Sequence, residues 1–100
     1  MSDIVLIAPY EKMLSDAKHV IEKRRYTNIA AVFGDLSAGL IAASDALKNG
    51  AKILISRGGT YSLIQYVSPV PVVEIKTSPI DFAATIRALQ NIDDVIGVVG

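Results

Sequence analysis

The sequence predicts an α/β domain in which a parallel sheet carries helices on both faces. Two observations predict this fold class. Short apolar runs rich in Val and Ile alternate with segments whose apolar residues recur every three or four positions. The runs are typical of strands buried on both faces, and the segments are typical of amphipathic helices. Their strict alternation favours parallel strands joined by right-handed helical crossovers.

The first two strand–helix units occupy the N-terminal half of the chain. The run Ile4–Ala8 predicts a first strand, and apolar residues spaced from Met13 to Ile21 predict a first helix. Residues 28–33 predict the second strand. Asp35 is expected to cap a second helix, and Gly50 is expected to end it. The predicted apolar stripe of that second helix comprises Leu36, Leu40, Ala43 and Leu47.

The C-terminal half repeats the same pattern with shorter elements. Residues 53–55 predict the third strand, and residues 72–75 predict the fourth. A polar loop, residues 56–60, leads between them into a short helix. Ser78 followed by Pro predicts the start of a last helix, and residues 95–99 predict a fifth strand. The apolar residues of the short helix are Leu63, Ile64 and Val67.

Five strands connected in this way predict a flavodoxin-like three-layer sandwich with a parallel sheet of order 2-1-3-4-5. One hundred residues make a single domain. Because the fifth strand would lie at the very end of the chain, with no helix after it, we expect residues 1–100 to be one α/β lobe of a polypeptide that continues.

Composition excludes several classes of function. The chain is 51% apolar, its ten basic and ten acidic residues cancel, and it shows no basic stripe, so direct nucleic-acid binding is not predicted. No apolar run reaches the about 20 residues that span a membrane. Cysteine is absent, which excludes disulfides and thiolate metal sites and suits a reducing cytoplasm. No cofactor is predicted.

The candidate binding site lies where strand order reverses, beyond the carboxyl ends of strands one and three. Tyr10 follows the first strand. After the third strand comes a loop in which Arg57 offers a planar partner for carboxylate or phosphate, and two glycines let the backbone approach a ligand. The helix behind this loop points N–H groups toward the same place, which favours an anion. The loop residues are Ser56, Arg57, Gly58, Gly59 and Thr60.

Each of these residues also has a purely structural interpretation. The loop can be a Gly-Gly turn in which Thr60 caps the helix and Arg57 extends into solvent. Tyr10 can stack on a ligand or merely cover the end of the sheet. Ser78 is a helix cap in the simplest interpretation, although a capped helix start also offers N–H groups to a ligand.

No catalytic constellation is predicted, so we expect this chain not to be an enzyme. The sequence has one histidine and no cysteine, and the predicted loops assemble no Ser-His-Asp group. Acidic residues needed for a phosphoacceptor site are replaced by Pro9 and Tyr10 after the first strand, and by Ser56 and Arg57 after the third.

Two segments together resemble a known family. They are Ser-Arg-Gly-Gly-Thr at 56–60 and Val-Pro-Val-Val-Glu-Ile-Lys at 70–76, followed by Asp81 and the helix to Leu89. The stretch resembles the N-terminal sensory domain of propionate catabolism activators, which are sigma-54-dependent bacterial transcription regulators. The resemblance is strongest from Ile53 to Val99.

The resemblance implies one lobe of a two-lobed sensor domain, with an organic acid effector held between the lobes. It also implies an ATPase module and a DNA-binding module downstream in the parent protein. The effector of the activators that give the family its name is a methylcitrate, and this identity cannot be carried over, because many relatives govern other pathways. Ser78 matches a family position that faces the cleft. The alternative is a free-standing interaction domain that forms a homodimer through its fifth, edge strand.

Overall fold

A computed structural model describes residues 2–75, which form seven elements in the alternating order that the sequence predicts. The predicted last helix and fifth strand lie outside the described residues. The strands are β1 (Ile4–Ala8), β2 (Ile29–Phe33), β3 (Ile53–Ser56) and β4 (Val72–Glu74), and the helices are α1 (Glu11–Lys23), α2 (Ser37–Lys48) and α3 (Gly58–Val67).

The four described strands form one parallel sheet of order β2-β1-β3-β4. This confirms the α/β class and the flavodoxin-like arrangement for the part of the chain that the structure describes. β1 lies in the interior of the sheet: Val5 is opposite Ala30 on one side and Leu54 on the other. Chain segments leaving β1 and β3 therefore turn away in opposite directions at the carboxyl edge of the sheet.

Helices cover both faces of the sheet, and β1, which is apolar at every position, is therefore buried throughout. Ile4 and Leu6 face α1, where Ala17 is the buried centre of the helix. On the opposite face, Ile7 packs with Ala43 of α2 and Ile64 of α3. Each fully buried Leu or Ile side chain contributes about 1.5–3 kcal/mol to folding. Among the three described helices, none has both the length and the apolar character needed to cross a bilayer.

The second helix ends as the sequence predicts but begins differently. Asn49 is its C-terminal cap, and Gly50 follows with φ of 96°, a conformation that glycine adopts readily. The predicted capping role of Asp35 is wrong. Leu36 occupies the cap position, it makes no capping hydrogen bond through its side chain, and that side chain is half exposed rather than part of the apolar stripe.

The third helix begins earlier than expected. Gly58 is its first residue, so Gly58, Gly59 and Thr60 form the first turn of α3 rather than a polar loop. Of the three apolar residues predicted to anchor this helix, only Ile64 is buried, whereas Leu63 and Val67 are exposed. The helix thus attaches by a narrow contact at Ile64, because it is short and the other residues of its C-terminal half, 63 and 65–67, are exposed.

A close approach between α2 and α3 depends on a glycine. A Cβ atom placed on Gly39 would lie 2.4 Å from the methyl Cγ2 of Thr60 and 3.2 Å from the carbonyl oxygen of Gly34. Gly39 and Thr60 are both buried. The two helices can pack at this distance only because residue 39 has no side chain.

Replacing this glycine should destabilise the fold. Gly39→Ala is expected to lower the free energy of unfolding by about 1–3 kcal/mol, the usual cost of overpacking. The overlap outweighs the roughly 1 kcal/mol that alanine gains in helix propensity. Urea unfolding measures the effect. In the double variant Gly39→Ala with Thr60→Ser, which removes the opposing methyl, part of the loss should be recovered. A single variant as stable as the original chain would contradict the close approach.

Candidate functional site

Three loops meet at the carboxyl edge of the sheet. They follow β1, β2 and β3, and the first and third flank the point at which the strand order reverses. Tyr10 comes from the first loop, Leu36 from the second, and Arg57 from the third. Parallel strands bring these segments together even though up to 47 residues separate them in sequence.

Arg57 is held against Tyr10. Its Nη1 donates a hydrogen bond to the Tyr10 hydroxyl at 3.0 Å, and its Cζ lies 5.8 Å from the centre of the Tyr10 ring. The distance lies within the range of a cation–π contact. The interpretation in which Arg57 simply extends into solvent is therefore not what the structure shows. Two of the predicted site residues are brought together at a surface position, since Tyr10 is 43% exposed.

The start of α3 lies directly behind this pair. Arg57 is the cap residue of the helix, in extended conformation, and no side chain among residues 2–75 caps the helix start. Gly58 has φ of +61°, and no atom of the described residues lies within 4 Å of where its Cβ would be. Glycine is thus needed at position 58 for the backbone conformation, and no described residue fills the space beside it. A Cβ on Gly59 would meet Leu36 Cδ2 at 3.4 Å, so the Leu36 side chain lies beside the second glycine of the helix start.

Ser56 fixes the start of the loop after β3 through a buried hydrogen bond to β1. It is the last residue of β3, its side chain is fully buried, and its hydroxyl donates to the carbonyl oxygen of Ile7 at 2.7 Å. The bond ties the end of β3 to β1 across the point where strand order reverses. In this conformation the hydroxyl faces the sheet and not the surface on which Tyr10 and Arg57 lie.

Thr60 connects α3 to the loop after β2. Its hydroxyl donates to Asp35 Oδ1 at 3.0 Å and accepts from the backbone N–H of Leu36 at 2.9 Å. The interpretation of Thr60 as the cap of its own helix is wrong, because Thr60 lies inside the first turn of α3 and its hydroxyl bonds to another loop. This bond is also the reason that Asp35 does not cap α2: its carboxylate is directed toward Thr60.

Leu36 is the residue that sequence reasoning missed. Its backbone has φ of 49° and ψ of −115°, a conformation that a branched side chain rarely adopts. Such strain costs about 1–3 kcal/mol and persists only where the surroundings impose it. Here the Thr60 hydroxyl holds the Leu36 N–H, and α2 starts at the next residue. No sequence signal marks a leucine for this role, because positive φ is associated with glycine and asparagine.

The structure adds no contacts for the last candidate residue, Ser78, and shows no metal site among the described residues. Ser78 lies outside the described residues. Within residues 2–75, no cluster of three or more His, Asp or Glu side chains is placed to hold a metal ion. The site formed by the described residues thus contains one arginine, one tyrosine, one leucine and a helix start without a side-chain cap. A guanidinium and the N–H groups of a helix start are groups that can bind an anion.

The Thr60 hydroxyl should matter more than its methyl group. Thr60→Val keeps the shape but leaves Asp35 and the Leu36 N–H without this partner, so the free energy of unfolding should fall by about 1–3 kcal/mol. Thr60→Ser keeps the hydroxyl and serves as the control. Urea unfolding of both variants measures the difference. If valine is tolerated better than serine, packing rather than hydrogen bonding holds this junction.

The chain matches a model of a known family. A family model described as propionate catabolism activator matches residues 23–100, more than half of the chain. Neither a curated protein nor a solved structure matches the chain. The matched range begins at the last residue of α1 and includes the loop residues 56–60 and Ser78, but it does not include Tyr10.

Proposed function

Because the chain belongs to the family of N-terminal regulatory domains of propionate catabolism activators, we propose that it is the effector-sensing lobe of a bacterial transcription activator. In this proposal it works in the cytoplasm and binds a small organic acid at the loops after β1 and β3. The occupied lobe then regulates the ATPase and DNA-binding modules of the parent protein.

The observation that carries the proposal is the position of Arg57. Tyr10 holds its guanidinium by a hydrogen bond and a ring contact, at the start of a helix that no side chain caps. A guanidinium matches the geometry of a carboxylate, and a helix start carries a partial positive charge. A positive group and a positive helix end pointing to one open surface favour a carboxylate or phosphate ligand there.

The proposed roles of the individual residues follow from their exposure. Arg57 binds a carboxylate of the ligand, and the backbone N–H groups of Gly58 and Gly59 bind its oxygen atoms from the helix side. Leu36 forms an apolar wall. Ser56 and Thr60 are buried, so we assign them the task of holding the loop rather than contacting the ligand. Ser78 is proposed as a further polar contact from the loop after β4.

The hydrogen bonds that join Thr60 to Asp35 and Leu36, here called the Thr60 junction, offer a route by which ligand binding affects the rest of the domain. A ligand at the start of α3 contacts Arg57 and the first turn of the helix. Thr60 lies in that turn and bonds to both Asp35 and Leu36. These two residues precede α2. We propose that occupancy shifts the population between two arrangements of this junction, and that the second lobe and the downstream modules respond to the shift.

Loss of the Arg57 side chain should weaken anion binding. With citrate as the probe, Arg57→Ala is expected to reduce affinity by about 1.5–3 kcal/mol, the usual value for a hydrogen bond to a charged group. Titration followed by backbone amide NMR shifts measures it. The matched control is Arg24→Ala, which removes an exposed arginine at the end of α1 and should leave the affinity unchanged. Equal affinities for the two variants would contradict the site.

The Tyr10 hydroxyl should have a smaller effect. Tyr10→Phe keeps the ring under the guanidinium but removes the acceptor of the 3.0 Å hydrogen bond. Affinity for citrate should fall by about 0.5–1.5 kcal/mol, less than in Arg57→Ala, because only the orientation of the arginine is lost. The same NMR titration tests this order. A Tyr10→Phe loss as large as that of Arg57→Ala would mean that the hydroxyl itself contacts the ligand.

A further inference from the structure

The outer edge of β2 lacks the features that usually protect an edge strand. In the described sheet, β2 pairs with β1 on one side only. All five residues of Ile29–Phe33 align with β1 without a bulge, and the strand contains no charged residue and no proline. Natural edge strands are normally shielded by charge, proline, a bulge or a covering segment, because an open edge pairs with other strands.

The backbone of β2 presents a regular set of groups at this edge. The carbonyl of Asn28 and the N–H of Gly34 both bond to β1. Because successive residues of a strand direct their backbone groups to opposite sides, Ile29, Ala31 and Phe33 direct theirs away from β1. Their midpoint is Ala31. A second β2 running antiparallel and centred on Ala31 would place each of these outward donors opposite an acceptor.

An apolar groove lies beside this edge. It has a volume of about 590 Å³ and lies between β2 and the outer face of α2. Ile41, near the middle of α2, is 65% exposed at its rim, and Phe33 is 51% exposed. A smaller groove, of about 400 Å³, lies on the other face of the sheet, between α1 and β2. The edge strand therefore stands between two grooves that can receive side chains of an incoming strand and helix.

We propose that this surface, the β2–α2 edge, is the interface between two copies of this chain related by a two-fold axis at Ala31. The two β2 strands pair antiparallel and join the sheets of both copies. α2 packs on both β1 and β2, so it lies about one strand spacing, ~4.8 Å, from such an axis. Two α2 helices related by the axis are then about 10 Å apart, which is the ordinary distance between packed helices.

Charge complementarity favours a second copy over another partner. The axis makes the two α2 helices antiparallel, with Ile41 of each near the crossing. Asp45 then lies beside the N-terminal half of α2 in the second copy. The first turn of α2 has no acidic residue and no side-chain cap, so its positive dipole end favours a carboxylate from the second copy. The same contact occurs twice by symmetry, as a self-complementary interface requires.

The test compares two matched substitutions in the full 100-residue chain. Ile41 and Val67 are exposed to nearly the same degree, 65% and 64%, but Val67 ends α3 and does not line the groove. By sedimentation equilibrium, the unaltered chain and Val67→Glu should be dimers, and Ile41→Glu should be a monomer with an unchanged circular dichroism spectrum. Anion binding at Arg57 is measured separately, because neither residue belongs to the site described above.

A cross-linking experiment covers the case in which Ile41→Glu does not fold. The chain contains no cysteine, so a single introduced thiol reports on its own position. Ile41→Cys should form a disulfide-linked dimer on mild oxidation, and Val67→Cys should not. A monomeric unaltered chain would overturn the proposal. A dimer that survives Ile41→Glu and does not cross-link through residue 41 would also overturn it, and would point to another surface such as the predicted fifth strand.

Discussion

The hydroxyl of Thr60 is the interaction on which the candidate site depends. It belongs to α3, yet it bonds to Asp35 and to the backbone of Leu36, two residues in the loop after β2. The Thr60 methyl packs over Gly39, so one side chain sets both the spacing of α2 and α3 and the conformation of the loop. A buried hydroxyl with both donor and acceptor satisfied is costly to disturb, which makes this junction a rigid base for the exposed residues above it.

The exposed part of the site is small by comparison. Tyr10 and Arg57 come from loops on either side of the point where strand order reverses, and they meet because β1 and β3 are neighbours. Ser56 secures that neighbourhood with a buried hydrogen bond to Ile7. The residues of this short segment thus divide by exposure: Arg57 and the two glycines face outward, while Ser56 and Thr60 face inward. In the proposed function, the outward residues bind the ligand and the inward residues support them.

Much of the fold was predictable from the sequence, because apolar runs and helical spacing report burial directly. β1 and its neighbours, the sheet order and the glycine after α2 follow from such patterns. The start of α2 was mispredicted, because Asp35 satisfies a local capping rule but its carboxylate is directed to Thr60, 25 residues away. The strained Leu36 and the contact at Gly39 likewise depend on tertiary packing, which no local pattern encodes. The sequence marks residues 56–60 as a distinctive segment. It does not indicate that the two hydroxyl residues of that segment, Ser56 and Thr60, are buried.

The pairing of β1 with β3 also shapes how this chain is made. Ser56 bonds to Ile7 across 49 residues of sequence, so β1 acquires its second neighbour only after those residues have been synthesised. At roughly 5–20 residues per second, the ribosome leaves β1 with an open edge for a few seconds. Apolar surface and unpaired strand edges that are exposed during synthesis favour aggregation, and the run Ile4–Ala8 has both properties until β3 pairs with it. The topology that creates the candidate site thus makes early folding of this domain dependent on its environment.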